Sequence, residues 1–185
     1  DPFKAEKDDC NRIALPMANS LSGEILSIED PIKKLESAIL SSIAGNTMDL
    51  GTSGHSFDLS GFEMEYRRIV NEGLAINDTP DLLRILKESE SVIYLADNAG
   101  EIAFDKTLVR VISDLGPRVT VAVKGGPISN DATMEDARFV DMEEVATVIT
   151  TGTDHLGVNF DESSDEFLQA FDSSDLILGK GQSNL

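Results

Sequence analysis

Four short apolar runs separated by helix-length stretches set the strongest limit on what this chain can fold into. They are Val92-Ile93-Tyr94-Leu95-Ala96, Val119-Thr120-Val121-Ala122-Val123, Val145 to Ile149, and Leu176-Ile177-Leu178. A continuous apolar run without polar alternation suits a strand covered on both faces. Helical patterns lie between the runs. One goes from about Glu101 through Leu108, Val109 and Ile112 to Gly116-Pro117, one from Asn130-Asp131 through Met134 and Ala137, and one covers Phe167 to Phe171. Strands alternating with helices predict right-handed βαβ units and a parallel sheet. The expected fold class is therefore α/β, with a three-layer, mostly parallel, doubly wound and Rossmann-like sheet.

The residues ahead of this pattern read as helical. Asp30-Pro31 is an N-cap followed by a first-turn proline, and Ile32, Leu35, Ile39, Leu40 and Ile43 recur at helical spacing until Gly45. Residues 51–61, with Gly51, Gly54, His55 and Gly61, read as a loop. Phe62 to Leu74 predicts a helix closed near Gly73, and Thr79-Pro80-Asp81 opens another through Leu82, Leu83, Ile85 and Leu86. We expect a helical portion over residues 1–78 packed on an α/β core over residues 79–185. The chain opens at Asp1 without a Met and stops at Leu185, just past an apolar run. Those ends predict a piece of a longer protein, truncated at its C-terminal side.

Charge narrows the partners. With 15 Lys+Arg against 34 Asp+Glu the formal net charge is −19, which disfavours nucleic acid and anionic membrane surfaces. Between Phe139 and Gly179 there are ten acids and no Lys or Arg, which reads as a solvated acidic face. The single cysteine, Cys10, excludes an intrachain disulfide framework and a multi-cysteine zinc site, and it has no local partner. No uncharged apolar run approaches the roughly 18 residues of a membrane span, and no signal-peptide pattern is present. A cytoplasmic enzyme or binding protein is expected, with no membrane or nucleic-acid partner.

In open α/β sheets, ligands bind outside the carboxyl ends of the strands. Those ends carry Asp97-Asn98, Lys124-Gly125-Gly126, Thr150-Thr151-Gly152 and Lys180-Gly181. Two of the chain's eight lysines thus follow apolar runs directly. Asp97, Asn98 and Asp131 offer oxygen donors with no Cys or paired His, which favours Mg or Mn over Zn. Lys124 and Lys180, beside glycines and near helix starts at Glu101 and Asp131, suit a phosphate. Each acid could instead cap the helix it precedes, although capping does not call for lysines at neighbouring strand ends. Glu101, one turn from Asp97, fits a helix-start acid, a partner to a metal ligand or a general base. His55 and His155, in polar loops, read as surface histidines. The chain has no Gly-x-x-x-x-Gly-Lys-Ser/Thr loop, no Gly-x-Gly-x-x-Gly after a strand and no Gly-x-Ser-x-Gly elbow. Asp97 also lacks the second Asp of the haloacid-dehalogenase pattern, because Ala99 stands there.

Four segments carry a family resemblance: Ala44-Gly45-Asn46-Thr47-Met48-Asp49, Leu95-Ala96-Asp97-Asn98-Ala99-Gly100-Glu101, Lys124-Gly125-Gly126-Pro127 with Asn130-Asp131-Ala132-Thr133, and Gly179-Lys180-Gly181-Gln182-Ser183-Asn184. In this order they resemble the metal-dependent damage-control phosphatases, the ARMT-like or "domain of unknown function 89" family, and its archaeal branch above all. The resemblance implies hydrolysis of small phosphomonoesters, such as sugar phosphates or damaged phosphorylated metabolites, with a divalent metal (Mg, Mn, Co or Ni). It implies Asp97, Asn98 and Asp131 as metal ligands and Lys180 as a phosphate contact, with Glu101, Asn130 and Asn46 lining the pocket. Taken with the strand-end argument, the expected catalytic residues are Asp97, Glu101 and Lys180. The expected phosphate or substrate contacts are Asn46, Lys124, Gly125, Gly126, Asn130 and Asn184. The family's last motif continues to an acidic residue beyond the point where this chain ends, and its archaeal members carry a cysteine pair in a longer front segment. Two other readings stand beside this one. A methyltransferase of carboxyl groups using S-adenosylmethionine fits a doubly wound sheet, but the usual glycine-rich first loop is missing. A non-catalytic metal- or nucleotide-binding protein is the other.

Overall fold

The computed structural model describes residues 1–48, 59–181 and 184. The expected loop residues Gly51, Gly54 and His55, the motif residues Asp49, Gln182 and Ser183, and the last residue, Leu185, lie outside the described residues. Four helices come first: α1 (Lys4–Leu26), α2 (Pro31–Gly45), α3 (Leu59–Glu72) and α4 (Thr79–Glu88). Then follow β1 (Ser91–Leu95), α5 (Glu101–Asp114), β2 (Arg118–Val123), α6 (Met134–Phe139), β3 (Thr147–Thr150), α7 (Asp165–Ser173) and β4 (Leu176–Gly179). The strands pair in parallel in the order β3-β2-β1-β4. The expected parallel α/β sheet is the fold the chain adopts.

Side-chain alternation along the strands builds two cores. Val92 and Tyr94 of β1, with Val119, Val121 and Val123 of β2, join the apolar sides of α1, α2 and α5. Ile93, Leu95, Ala122 and Ile149 point the other way and pack on Phe167 of α7. Helices on both faces make three layers, and β1 is covered on each, with Val92 to Leu95 at most 4% exposed. No described helix is long and apolar enough to cross a membrane.

Strand order decides where a ligand can bind. The chain steps outward from β1 to β2 to β3, then α7 carries it back to place β4 on the far side of β1. The reversal leaves a crevice at the carboxyl ends of β1 and β4, the switch point where open α/β sheets take ligands. Asp97 follows one strand and Lys180 the other.

Local signals account for most element ends, and four differ from expectation. Asp30 caps α2 as predicted, its Oδ1 accepting from Ile32 N at 2.9 Å and Lys33 N at 3.0 Å. The helix expected from Phe62 begins at Leu59, so Gly61 is helical rather than part of a loop. Thr79 does not cap α4; it is the first helical residue, and its N–H is taken by Asn77 Oδ1 at 3.1 Å. The cap of α6 is Thr133, not Asn130 or Asp131, because Thr133 and Asp136 form a reciprocal capping box. The third strand begins at Thr147, not Val145, because the N–H groups of Val145 and Ala146 bond back to Met142 O in a short 3-10 turn.

Candidate active site

The turn between β1 and α5 presents Asp97 and Asn98. It closes on Gly100 at φ 77°, where a Cβ would lie 2.9 Å from the Cβ of Cys10 on α1. Glycine is the residue that this left-handed, tightly apposed position admits. Cys10, with no evident role in the sequence, is buried in that contact. Asn11 holds the same turn: its Oδ1 accepts from Gly100 N at 2.7 Å while its Nδ2 donates to Asp136 Oδ1 at 2.8 Å. Main-chain bonds then join the turn to the segment after β2, with Ala132 N donating to Asp97 O at 2.7 Å and Ala99 N to Asn130 O at 2.9 Å. Asn98 and Asp131 face each other as an isolated antiparallel bridge. The three expected metal ligands are thus brought to neighbouring places by backbone pairing.

A cavity of about 570 Å³ opens here. Asn46, Asp97, Asn98, Glu101, Asn130, Asp131 and Lys180 of the expected set line it. Its described wall does not include Lys124, Gly125, Gly126 or Asn184. Lys124 is only 3% exposed and lies beneath Asp131, with Nζ 3.6 Å from Asp131 Oδ2. Its ammonium donates to Gly157 O at 2.7 Å and Asn184 Oδ1 at 3.4 Å. Asn184 in turn donates to Ala96 O at 3.1 Å and Lys180 O at 2.9 Å. Gly125 serves the approach of two loops: its N donates to Thr153 O at 2.8 Å, and a Cβ there would lie 2.6 Å from Thr153 N. A Cβ on Gly126 would lie 3.2 Å from the Asp154 Cβ. His155 is exposed and pairs with Glu162 at 2.7 Å.

Polar contacts link the cavity wall to a buried layer behind it. Asn98 Nδ2 donates to Asp97 Oδ2 at 2.9 Å and to Glu101 Oε2 at 3.0 Å. Lys180 Nζ donates to Asp105 Oδ1 and to Ser42 O, both at 2.9 Å, and forms an ion pair with Glu101 Oε1. Asp105 is fully buried and also accepts from Ser42 Oγ at 2.7 Å, and the Tyr94 hydroxyl lies 3.4 Å from that same Oγ. Sequence reasoning missed Asp105 and Ser42. The available signal was an acid one helical turn after Glu101 amid Ile102, Ala103, Phe104 and Leu108, an apolar helix face where an acid needs a partner.

Four carboxylates, Asp97, Glu101, Asp105 and Asp131, thus meet two ammonium groups, Lys124 and Lys180, two positive charges short of balance. The carboxyl groups respond accordingly. Burial pushes Glu101 up to about 7; Lys180 pulls against that shift and Asp105 adds to it. Burial likewise raises Asp97 against the pull of Lys180 and Lys124, and raises Asp131 against Lys124. Burial alone would lower Lys180, but Asp105 and Glu101 hold it above its usual value. Among the described residues, no three Asp, Glu, His or Cys side chains group around one ion position. The neutral side-chain oxygens on the same wall as Asp97 and Asp131 include the amides of Asn98, Asn46 and Asn130. An all-oxygen set in which carboxyl groups outnumber ammonium groups fits a hard divalent cation.

A parallel sheet with an oxygen-rich cavity at its switch point defines the class of open α/β proteins that take a ligand at the carboxyl ends of their strands. The family assignment is more specific. The model of the damage-control phosphatase ARMT1-like domain matches residues 1–185, and the chain belongs to that family. It is 38% identical over 188 residues to a damage-control phosphatase of Archaeoglobus fulgidus, covering 100% of this chain and 62% of that protein. It is 37% identical over 150 residues to a damage-control phosphatase of Pyrococcus horikoshii, covering 80% of this chain and 51% of that protein. The crystal structure of a DUF89 family protein from Pyrococcus horikoshii superposes with a TM-score of 0.87 at 33% identity, over 100% of this chain and 62% of that one. The chain therefore spans between 51% and 62% of the length of these relatives.

Proposed function

We propose that this chain forms the metal- and phosphate-binding core of a divalent-metal-dependent phosphatase that hydrolyses small phosphomonoesters in the cytoplasm. One observation supports this above all: Asp97, Asn98 and Asp131 converge on the wall of a polar cavity that Lys180 also lines, at the switch point of the sheet. The printed names of two relatives, damage-control phosphatases, support the same activity class. Asp97, Asn98 and Asp131 would hold a divalent ion, which when bound would supply Lewis-acid polarisation of the phosphoryl group and offset charge in the transition state. Lys180 binds a phosphoryl oxygen. Lys124 contributes its charge from beneath Asp131, opposing the rise that burial gives that carboxyl group. Glu101, on the same wall and tied to Asn98, is the carboxylate placed to accept or return a proton. Asn46 and Asn130 offer amides to the rest of the substrate.

The test is phosphate release from sugar and nucleotide monophosphates with Mg, Mn, Co or Ni. Asp97→Ala should lower the rate by about a hundredfold or more, the scale of losing a principal electrostatic group. Equal rates in the parent protein and the variant would refute the proposal.

A further inference from the structure

Lys180 has three N–H donors, and among the described residues its ammonium meets three acceptors: Glu101 Oε1, Asp105 Oδ1 and Ser42 O. An incoming anion can bind this ammonium only by displacing one of them. Asp105 is a poor candidate, because it is 0% exposed, lies off the cavity wall and is also held by Ser42 Oγ. The Ser42 carbonyl belongs to the backbone of α2, so moving it means moving the helix. Glu101 alone of the three lines the cavity. We propose that Glu101 and the substrate's phosphoryl group compete for the same donor of Lys180, while Asp105 and the Ser42 carbonyl retain the other two. Glu101 is then an internal counterpart of the phosphate, and Asp105 is a positioning residue that acts only through Lys180.

The buried side of the network agrees with this division of labour. Asp105 Oδ2 is buried with no hydrogen-bond partner among the described residues, so Lys180 supplies the positive charge that offsets this carboxylate. Such a carboxylate keeps its counter-ion, since separation would leave an uncompensated charge in the interior. Glu101 has an alternative, because Asn98 Nδ2 already donates to its Oε2 at 3.0 Å. The exchange therefore breaks one ion pair and forms another at the same ammonium, with the Lys180 stem held in place.

This inference rests on the reading of Lys180 as the phosphate contact, and its test is separable from turnover. Inorganic phosphate is titrated calorimetrically, with Mg present, into the parent protein, Glu101→Gln, Asp105→Asn, Lys180→Met and the Glu101→Gln/Lys180→Met pair. Glu101→Gln should bind phosphate about tenfold more tightly and Asp105→Asn about tenfold less, the scale of one charge-assisted bond. General damage to the fold weakens binding in both, so shifts of opposite sign report the exchange. The gain from Glu101→Gln should vanish in the Lys180→Met background. A gain that persists there reflects simple repulsion between Glu101 and phosphate and overturns the exchange. No gain in Glu101→Gln, or no phosphate binding by either it or the parent, overturns it too; unchanged affinity in Asp105→Asn overturns the positioning role. Should Asp105→Asn fail to fold, the Glu101–Lys180 cycle decides the exchange alone. Turnover by the parent with unshifted affinities would refute the exchange and retain the phosphatase; opposite shifts without turnover would do the reverse.

Discussion

Gly181 shows how tightly single residues are constrained at this site. It sits at φ 75°, and a Cβ there would fall inside the van der Waals envelope of the Asp97 carboxyl group. Gly181→Ala should therefore displace Asp97 and also carry backbone strain of about 1–3 kcal/mol. We expect a Mn titration to show metal affinity falling by about tenfold, the range seen when a ligand loses its positioning. Gly23→Ala, in α1 with nothing within 4 Å of its added Cβ, is the matched control and should leave that affinity unchanged. Equal metal affinity in Gly181→Ala and the parent would contradict the role given to this glycine. Asp97 and Lys180 were legible in the sequence because each follows an apolar run within two residues, and a strand end is a local feature. Asp105 was not. An acid one turn along a helix usually faces water, and what makes this one buried is Lys180, 75 residues further along the chain.

At the scale of elements, α1 matters to the site without lining it. Lys7 and Asn11 both reach Asp136, at 2.8 Å each, and Thr133 N and Oγ1 donate to the same carboxylate at 2.8 and 2.7 Å. This cluster ties α1 to the start of α6 and, through Asn11, to the Gly100 turn. Burial works to raise the Asp136 carboxyl, but the bonds from Lys7 and Thr133 outweigh it and hold the group below 3.8. A carboxylate depressed in the folded state contributes stability that is complete above its unfolded value and is lost as pH falls through its folded value. Asp136→Asn should therefore melt at a lower temperature than the parent near neutral pH, by an amount worth about 1–3 kcal/mol. The gap should narrow as pH drops below about 4, where the unfolded Asp begins to protonate. A gap that stays constant from pH 7 to pH 3 would rule out ionised Asp136 as the source. The sequence placed the α6 cap two or three residues early because Asn130, Asp131 and Thr133 are all acceptable caps. Only Thr133 has an acid at the third helical position, and the neighbours of Asp131, Asn130 and Ala132, are drawn into backbone bonds with the β1 turn.

For the whole molecule, a net charge of −19 over 185 residues means that folding gathers like charges together. Raising NaCl from about 10 mM to about 150 mM shortens the Debye length from roughly 30 Å to roughly 8 Å, so the melting temperature should rise over that range. A flat or falling curve would show that the surface ion pairs, such as Arg68 with Glu65 and Glu72, gain more from low salt than the acidic surplus loses. Three features were determined by the sequence alone. These are a parallel α/β sheet, the identity of the residues that follow each strand, and the chemical type of the cavity, since continuous apolar runs and the side chains beside them are local. The tertiary structure decided that β4 lies against β1 rather than β3, that Lys180 therefore reaches Glu101 and Asp105, and that Lys124 is buried beneath Asp131. Hydrophobic periodicity says how a segment folds but not which neighbour it pairs with. That choice comes from packing surfaces far apart in the chain, and here it places two lysines of similar sequence context in different surroundings.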